Sequence, residues 1–120
     1  MSNLKPLDLA LQYMDVVFGG GDIERLNNLL ADQFSFKGPF YRFDSAAGYI
    51  NSLKADPPQD FGYKIISTFE NETSACLVYR FSKPGVDTPM AQLFEINTGQ
   101  ISKILLVFDS APFLQDADKS

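Results

Sequence analysis

The sequence contains no histidine, no tryptophan and a single cysteine, Cys76. Without histidine the chain cannot form a Ser-His-Asp or Cys-His nucleophile pair, and it has no imidazole to bind zinc. Acid–base chemistry would need a carboxylate, tyrosine, lysine or cysteine with a shifted pKa. A lone cysteine excludes an internal disulfide, which fits a reducing compartment. We expect neither a metal site nor a cofactor.

The chain also lacks an excess of positive charge and long apolar runs. Its net charge of -5 argues against nucleic acid and anionic membranes as partners. No apolar run approaches the ~20 residues of a membrane helix, and the first six residues lack the apolar core of a signal peptide. We therefore expect a cytoplasmic protein.

What the chain does have is enough apolar material for one core. It has 120 residues, of which 45% are hydrophobic, and it includes 11 phenylalanines and 5 tyrosines. This is the size of one domain, and such a chain buries roughly two thirds of its unfolded surface. We take residues 1–120 as one domain with an ordered core over 6–113 and a polar tail over 115–120 that should fray.

The first half of the chain has helical periodicity. Apolar residues at helical spacing predict a helix over 6–18 with a stripe that includes Leu7, Leu11 and Phe18. Tyr13 lies beside this stripe, so its ring can be buried while its hydroxyl is expected to face either a cavity or the solvent-exposed rim. The other elements of this half are a helix from Asp22 to about Ala31, a strand over 34–37 and a helix capped by Asp44 or Ser45 that ends at Lys54.

From Phe61 the apolar period changes to two, which predicts strands. Strands are expected over 63–69 and 74–82 with a tight link at Asn71 and Glu72, and a looser link over 83–87 precedes the next strand. The stretch from Thr88 to Asp109 reads as two further strands joined at residues 97–99. Helices segregated from strands indicate an α+β fold and exclude a parallel sheet.

Both faces of the predicted sheet carry apolar residues. Three helices can cover only one face, so the other needs a different cover. We expect a second copy of the chain there, which predicts a homodimer through the outer sheet face. On this face Arg80 is expected to pair with Glu95 or another acid, and Cys76 is interpreted as a small buried hydrophobe.

Gln92 is the polar residue that interrupts an apolar strand face. Alternate side chains of a strand point the same way, so Gln92 should enter the apolar space of Met90 and Phe94. A buried amide needs a partner, which can be another side chain, water or a ligand.

Several segments resemble one known family. They are Gly21-Asp22-Ile23-Glu24, Ala31-Asp32-Gln33-Phe34, Gly38-Pro39-Phe40, the run from Phe94 to Ile101, and Val107-Phe108-Asp109. Over about residues 7–113 the chain resembles the nuclear transport factor 2-like superfamily, which includes ketosteroid isomerases and polyketide-cyclase-like proteins. The resemblance implies a cystatin-like cone, in which three N-terminal helices pack in the concave face of a strongly curved, mostly antiparallel sheet of four to six strands.

The resemblance also implies roles for particular residues. Tyr13 matches the oxyanion-hole tyrosine of the isomerases, and Gln92 falls where their second donor, a protonated aspartate, is found. The isomerase base falls at Lys37 or Gly38, neither of which is a carboxylate, so steroid isomerisation by that route is not expected. Asp109 is the carboxylate on the closing strand, and it needs a bulge or a strand-end position to reach the cavity; otherwise it is a turn ligand.

Two functional hypotheses follow from this pattern. In the first, the cone holds a small apolar or aromatic molecule, and Tyr13 and Asp109 are its candidate catalytic residues. Its mark is a cavity in which Gln92 and the Tyr13 hydroxyl converge within ~3.5 Å or through one water. In the second, the chain is a non-catalytic homodimerising module whose interior is filled and whose Gln92 bonds to protein. The residues expected to line the pocket are Tyr13, Phe36, Phe40, Tyr79, Met90, Gln92, Phe94, Leu106 and Phe108.

Overall fold

A computed structural model describes residues 5–19, 21–55, 61–111 and 113. The helices are α1 (Pro6–Phe18), α2 (Leu26–Leu29), which follows a 3-10 turn at Ile23–Arg25, and α3 (Ala46–Ala55). The strands are β1 (Leu30–Lys37), β2 (Arg42–Phe43), β3 (Gly62–Glu70), β4 (Ser74–Lys83), β5 (Val86–Asn97) and β6 (Gln100–Phe108). The predicted polar tail over 115–120 lies outside the described residues.

The six strands form one sheet in the order β2-β1-β6-β5-β4-β3. All neighbours are antiparallel except β1 and β6, which run parallel. Register shifts interrupt β3 after Ile65 and β5 after Glu95, and such bulges bend strands and increase their twist. The helices pack on one face of the sheet, which confirms the predicted α+β architecture.

Helix α1 has the predicted bounds but buries a wider surface than its apolar stripe suggested. Leu9 and Val16 are buried, whereas Leu11, which was placed in the stripe, is 39% exposed. Tyr13 is only 2% exposed, which rules out the rim as the position of its hydroxyl and leaves the other expected position, a cavity. The reason is tertiary: α1 contacts β3, β4, β5 and β6, so the sheet covers more than one side of the helix.

The second helix is shorter than predicted, and the strand after it starts earlier. Asp22 caps the start of this segment as expected, at the 3-10 turn that precedes α2, because its Oδ1 accepts a 3.0 Å hydrogen bond from the Glu24 backbone N–H. The chain nevertheless leaves the helix at Leu29 and enters β1 at Leu30. Leu30 pairs with Ile101 of β6, a contact distant in sequence that local propensity does not encode.

The connections around the later elements follow local side-chain chemistry. Ser45 rather than Asp44 caps α3, since its Oγ accepts from the Gly48 N–H at 3.0 Å. Asn71 makes the predicted tight link between β3 and β4, where its Oδ1 accepts from the Ser74 N–H at 2.8 Å. The link between β4 and β5 is tighter than predicted and leaves only residues 84–85 outside the strands, with Gly85 at φ 85°.

The turn between β5 and β6 contains two residues with positive φ. Thr98 has φ 50° and Gly99 has φ 78°, while Asn97 and Gln100 pair across the strands. Two central residues with positive φ match the twist of a tight antiparallel hairpin. This turn brings the stretch from Thr88 to Asp109 together as the predicted strand pair.

The inner face of β4 is buried as predicted, and its outer face carries the expected ion pair between Arg80 and an acid. The acid is Asp87, with 2.7 Å between Nε and Oδ1, rather than the alternative Glu95. The hairpin explains this, because Asp87 lies opposite Ser82, whereas Glu95 lies opposite Ser74 at the far end of the strand. Cys76 is half-buried rather than buried.

Candidate ligand-binding cavity

A cavity of about 390 Å³ opens between the helices and the inner face of the sheet. This volume is within the usual ~300–1,000 Å³ of small-molecule pockets. Its walls come from α1, α3, the loop after β1 and the inner faces of β4, β5 and β6. Phe40 and Tyr41 line it and are 44% and 67% exposed, so they mark its mouth. The chain therefore folds around a space that its own side chains leave open on one side.

Eight of the nine residues predicted to line a pocket lie on this cavity. They are Tyr13, Phe36, Phe40, Tyr79, Met90, Gln92, Leu106 and Phe108. Phe94 does not line it. Its fully buried ring packs edge-on against Tyr13 at a centroid distance of 5.3 Å. Phe94 shares a strand face with Gln92 but lies two residues farther along β5, where α1 and the sheet close over it.

The most informative lining residues that the sequence hypothesis missed are Tyr49 and Lys83. Tyr49 lies on α3 three residues after the buried Ala46, a spacing that places both on one helix face. Lys83 follows Tyr79 and Phe81 at alternate positions of β4, so all three share the inner face. Helix and strand periodicity were thus the available signals for both residues.

Four buried polar side chains form two hydrogen-bonded pairs at the inner part of the cavity. The hydroxyls of Tyr13 and Tyr49 are hydrogen-bonded to each other. The hydroxyl of Tyr79 donates to Oε1 of Gln92 over 2.8 Å. Tyr13 and Gln92 thus each have a second tyrosine as partner, and the Gln92 amide also bonds to the Tyr13 hydroxyl.

The three buried tyrosines are held in the neutral form. Burial raises the pKa of Tyr13 well above its ordinary value, and the Tyr49 phenol adds to the rise while the Gln92 amide offsets part of it. Burial likewise raises the pKa of Tyr49 and of Tyr79. At neutral pH these groups are hydrogen-bond donors and acceptors, and they cannot act as general bases.

Asp109 does not reach the cavity. It is exposed just beyond β6, where its Oδ1 accepts a 3.0 Å hydrogen bond from the Ala111 N–H. This is the turn-ligand arrangement, and it gives no support to Asp109 as a catalytic residue. The described residues that line the cavity include no aspartate and no glutamate.

The described part of the chain contains no group of three histidine, cysteine, aspartate or glutamate side chains placed to hold a metal ion. Within the same ranges, each helix is too short or too polar to cross a bilayer.

The three-dimensional comparison identifies the fold. Neither a protein-family model nor a curated protein sequence matches the chain. Among solved structures, a nuclear transport factor 2-like protein of unknown function from Cytophaga hutchinsonii matches with a TM-score of 0.80 and 21% identity over 94% of this chain and 97% of that one.

Two further solved structures carry names that indicate an activity. A candidate ketosteroid isomerase from Kribbella flavida matches with a TM-score of 0.74 and 20% identity, covering 86% of this chain and 76% of that one. A candidate SnoaL-like polyketide cyclase from Jannaschia sp. CCS1 matches with a TM-score of 0.76 and 13% identity, covering 96% and 94%. Likeness at this identity defines architecture rather than activity. The chain therefore has the nuclear transport factor 2-like fold, as its resemblance to that superfamily predicted.

Proposed function

We propose that this protein binds a small apolar or aromatic molecule that carries a hydrogen-bond acceptor. The observation that supports this most directly is the aromatic-walled cavity of about 390 Å³ with Tyr13, Tyr49, Tyr79 and Gln92 on its lining. Apolar walls with a few convergent polar groups are typical of small-molecule sites. The apolar walls favour a ligand with an apolar body, and the polar side chains favour a hydrogen-bond acceptor at one end of that ligand.

The number of unused hydrogen-bond donors in the cavity supports a ligand that carries an acceptor. Tyr13 and Tyr49 have two hydroxyl hydrogens but share one hydrogen bond, so one O–H remains for a third partner. Gln92 uses Oε1 to accept from Tyr79 and one amide N–H to bond to the Tyr13 oxygen, which leaves its second amide N–H for another acceptor. A carbonyl or similar oxygen at this end of a ligand would satisfy donors of both kinds.

Binding is better supported than catalysis. Isomerase and cyclase are the activities named for two structural neighbours, and acid–base chemistry of that kind needs a base beside the substrate. The described cavity lining offers no carboxylate, and its three buried tyrosines have raised pKa values. We therefore propose a binding protein in which Tyr13 and its partners orient the ligand.

The test is ligand-dependent thermal stabilisation across a panel of steroids, quinones and polyketide-like aromatics. A ligand present at 100 times its Kd stabilises the native state by ~2.7 kcal/mol, which is easily seen as a rise in Tm. We expect Gln92→Leu to remain folded and to lose this rise. Gln33→Leu is the matched control, because it is the same change at an exposed position of β1.

Two results would contradict the binding proposal. One is a panel in which no member raises the Tm of the wild-type protein. The other is an equal ligand-dependent rise in Tm for the wild type and Gln92→Leu, which would show that Gln92 takes no part in binding.

We further propose that the outer sheet face joins two copies of the chain. Strand register aligns Phe69, Cys76, Leu93 and Leu105 in one row across β3, β4, β5 and β6. A second row continues through Val78, Ala91 and Val107. Phe69 and Val107 are 58% and 54% exposed, and exposed apolar surface of this extent is typical of an interface. A symmetric dimer would bury both rows against their own copies.

A further inference from the structure

Lys83 is the charged residue of the described cavity lining. It is the last residue of β4 and is half-buried rather than fully exposed. A charge on the wall of an apolar cavity is informative, because electrostatic interactions are stronger there than in open solvent.

Strand geometry fixes the position of Lys83 relative to the polar end of the cavity. Tyr79, Phe81 and Lys83 lie at alternate positions of β4 and share its inner face. At roughly 3.3 Å per residue, the Cα atoms of Tyr79 and Lys83 are about 13 Å apart. Tyr79 is fully buried and Lys83 is half-buried, so the strand runs from the interior toward the opening.

Aromatic rings hold the ammonium group of Lys83 at this position. Its Nζ lies 5.4 Å from the ring centroid of Phe113 and 5.9 Å from that of Phe61. Both rings pack on Phe81, at centroid distances of 6.0 Å and 5.1 Å. A cation over aromatic faces is attracted to them, so the charge is held beside the cavity by two rings of its wall, which Phe81 supports from the strand.

The described part of the chain supplies no carboxylate to pair with this ammonium group. Its ion pairs are Arg25–Asp15, Lys54–Glu24 and Arg80–Asp87. Arg80 and Asp87 flank the same hairpin, yet they pair with each other on the outer face and leave Lys83 on the inner one.

We propose that the ligand of this cavity is an amphipathic organic acid, whose carboxylate pairs with Lys83 while its apolar body fills the aromatic cavity. The inference rests on the proposed binding function and specifies the class of ligand. The acid lies at the Lys83 end, and a second, neutral acceptor on the same molecule lies at the tyrosine end. The protein as a whole carries a net charge of -5, so attraction of an anion depends on this local charge and not on the overall field.

The experiment compares two ligands of one shape in calorimetric titrations. Biphenyl-4-carboxylate and biphenyl-4-carboxamide differ in charge but hardly in size. We expect the wild type to bind the acid roughly tenfold more tightly than the amide, a difference that high salt reduces. Lys83→Met should lower the affinity for the acid by a similar factor. It should leave the affinity for the amide nearly unchanged, because methionine keeps an apolar stem. Lys83→Arg should retain the preference.

Lys64→Met is the matched control. Lys64 of β3 lies directly opposite Arg80 of β4 in the strand register, so its side chain is on the outer face of the sheet, away from the cavity. Equal affinity of the wild type for acid and amide would overturn the inference while leaving the binding proposal intact. Equal weakening of both compounds by Lys83→Met would assign the residue a packing role and also overturn the inference. Failure of both compounds to bind the wild type would overturn this inference, whereas the binding proposal would fail only if the steroid, quinone and polyketide panel also gave no rise in Tm.

Discussion

The hydroxyl of Tyr79 donates a 2.8 Å hydrogen bond to Oε1 of Gln92, and the two side chains come from adjacent strands. Tyr79 lies opposite Met90 and Gln92 lies opposite Leu77, so the bonded residues are diagonal neighbours on the inner face. Diagonal neighbours are ~7–8 Å apart at their backbones, a distance that a tyrosine can span. Register alone thus supplies the buried amide with a protein partner beside the cavity.

The Tyr79–Gln92 bond predicts non-additive effects on stability. Gln92→Leu leaves a buried hydroxyl without its acceptor, which should cost ~1–3 kcal/mol of unfolding free energy, and Tyr79→Phe should cost a similar amount. The double variant should cost less than the sum of the two, since no polar group remains unpaired. Urea unfolding measures all three, and Tyr41→Phe, at a residue 67% exposed, is the control with little expected change. Simple additivity would show that the bond contributes no coupling.

The raised pKa values of Tyr13, Tyr49 and Tyr79 predict a loss of stability in alkali. Below pH ~10 the tyrosines are protonated in both the folded and the unfolded states, so the stabilising contribution is fully present. Above that pH the unfolded state releases protons that the folded state retains, and stability falls until the folded pKa is passed. Each tyrosine contributes a slope of ~1.4 kcal/mol per pH unit.

Denaturant titrations between pH 9 and pH 11 measure this slope. Tyr49→Phe removes one of the three groups and should reduce the slope by about one third. Tyrosinate absorbance provides the matching readout, because the folded protein should ionise fewer tyrosines at pH 11 than the denatured one. Full ionisation without unfolding at that pH would contradict the buried network.

The turn between β5 and β6 contains a correctable strain. Thr98 is a β-branched residue at φ 50°, in a left-handed region that costs ordinary residues ~1–2 kcal/mol. Asparagine tolerates this region better, so Thr98→Asn should raise the unfolding free energy by about 0.5–1 kcal/mol.

Gly99→Ala in the same turn should have the opposite effect and lower the unfolding free energy. Gly99 has φ 78°, and a Cβ added there would meet no atom within 4 Å. Its expected loss of ~1 kcal/mol is therefore due to the backbone alone. Melting temperatures that move in the same direction for both variants would show that this turn does not have the described geometry.

The proposed dimer predicts a charge-sensitive association. The wild type should have twice the chain mass of 13.4 kDa by light scattering at high micromolar concentration. Val107→Lys should shift it toward monomer, because two-fold symmetry brings like charges together in an apolar contact. Leu11→Lys is the matched control at an exposed apolar residue of α1, on another surface. A monomeric molar mass for the wild type would contradict the proposed interface.

Local patterns were sufficient for the elements whose stability is local. The bounds of α1, the Asp22 cap and the Asn71 link could be predicted because each depends on residues within a few positions. The start of β1 could not, since Leu30 pairs with a residue about seventy positions away in the sequence.

In the candidate site, too, some features could be predicted from local patterns and others could not. Alternation along β4 and β5 predicted that Tyr79 and Gln92 face the interior, and the resemblance to the superfamily implied that Tyr13 belongs to the site; all three line the cavity. That these residues form the pairs Tyr13–Tyr49 and Tyr79–Gln92 was not predictable, because helix docking and strand register determine the partners. The exclusion of Asp109 from the cavity and the placement of Lys83 beside it likewise depend on where strands end.

The sequence by itself determined the order of helices and strands, the apolar inner face and the polar residue within it, because periodicity assigns each side chain to a face of its own element. Only the tertiary structure decided how deeply α1 is buried, which polar groups bond to each other and where a cavity remains. Those outcomes depend on distances between elements far apart in the chain, and no local pattern carries such distances.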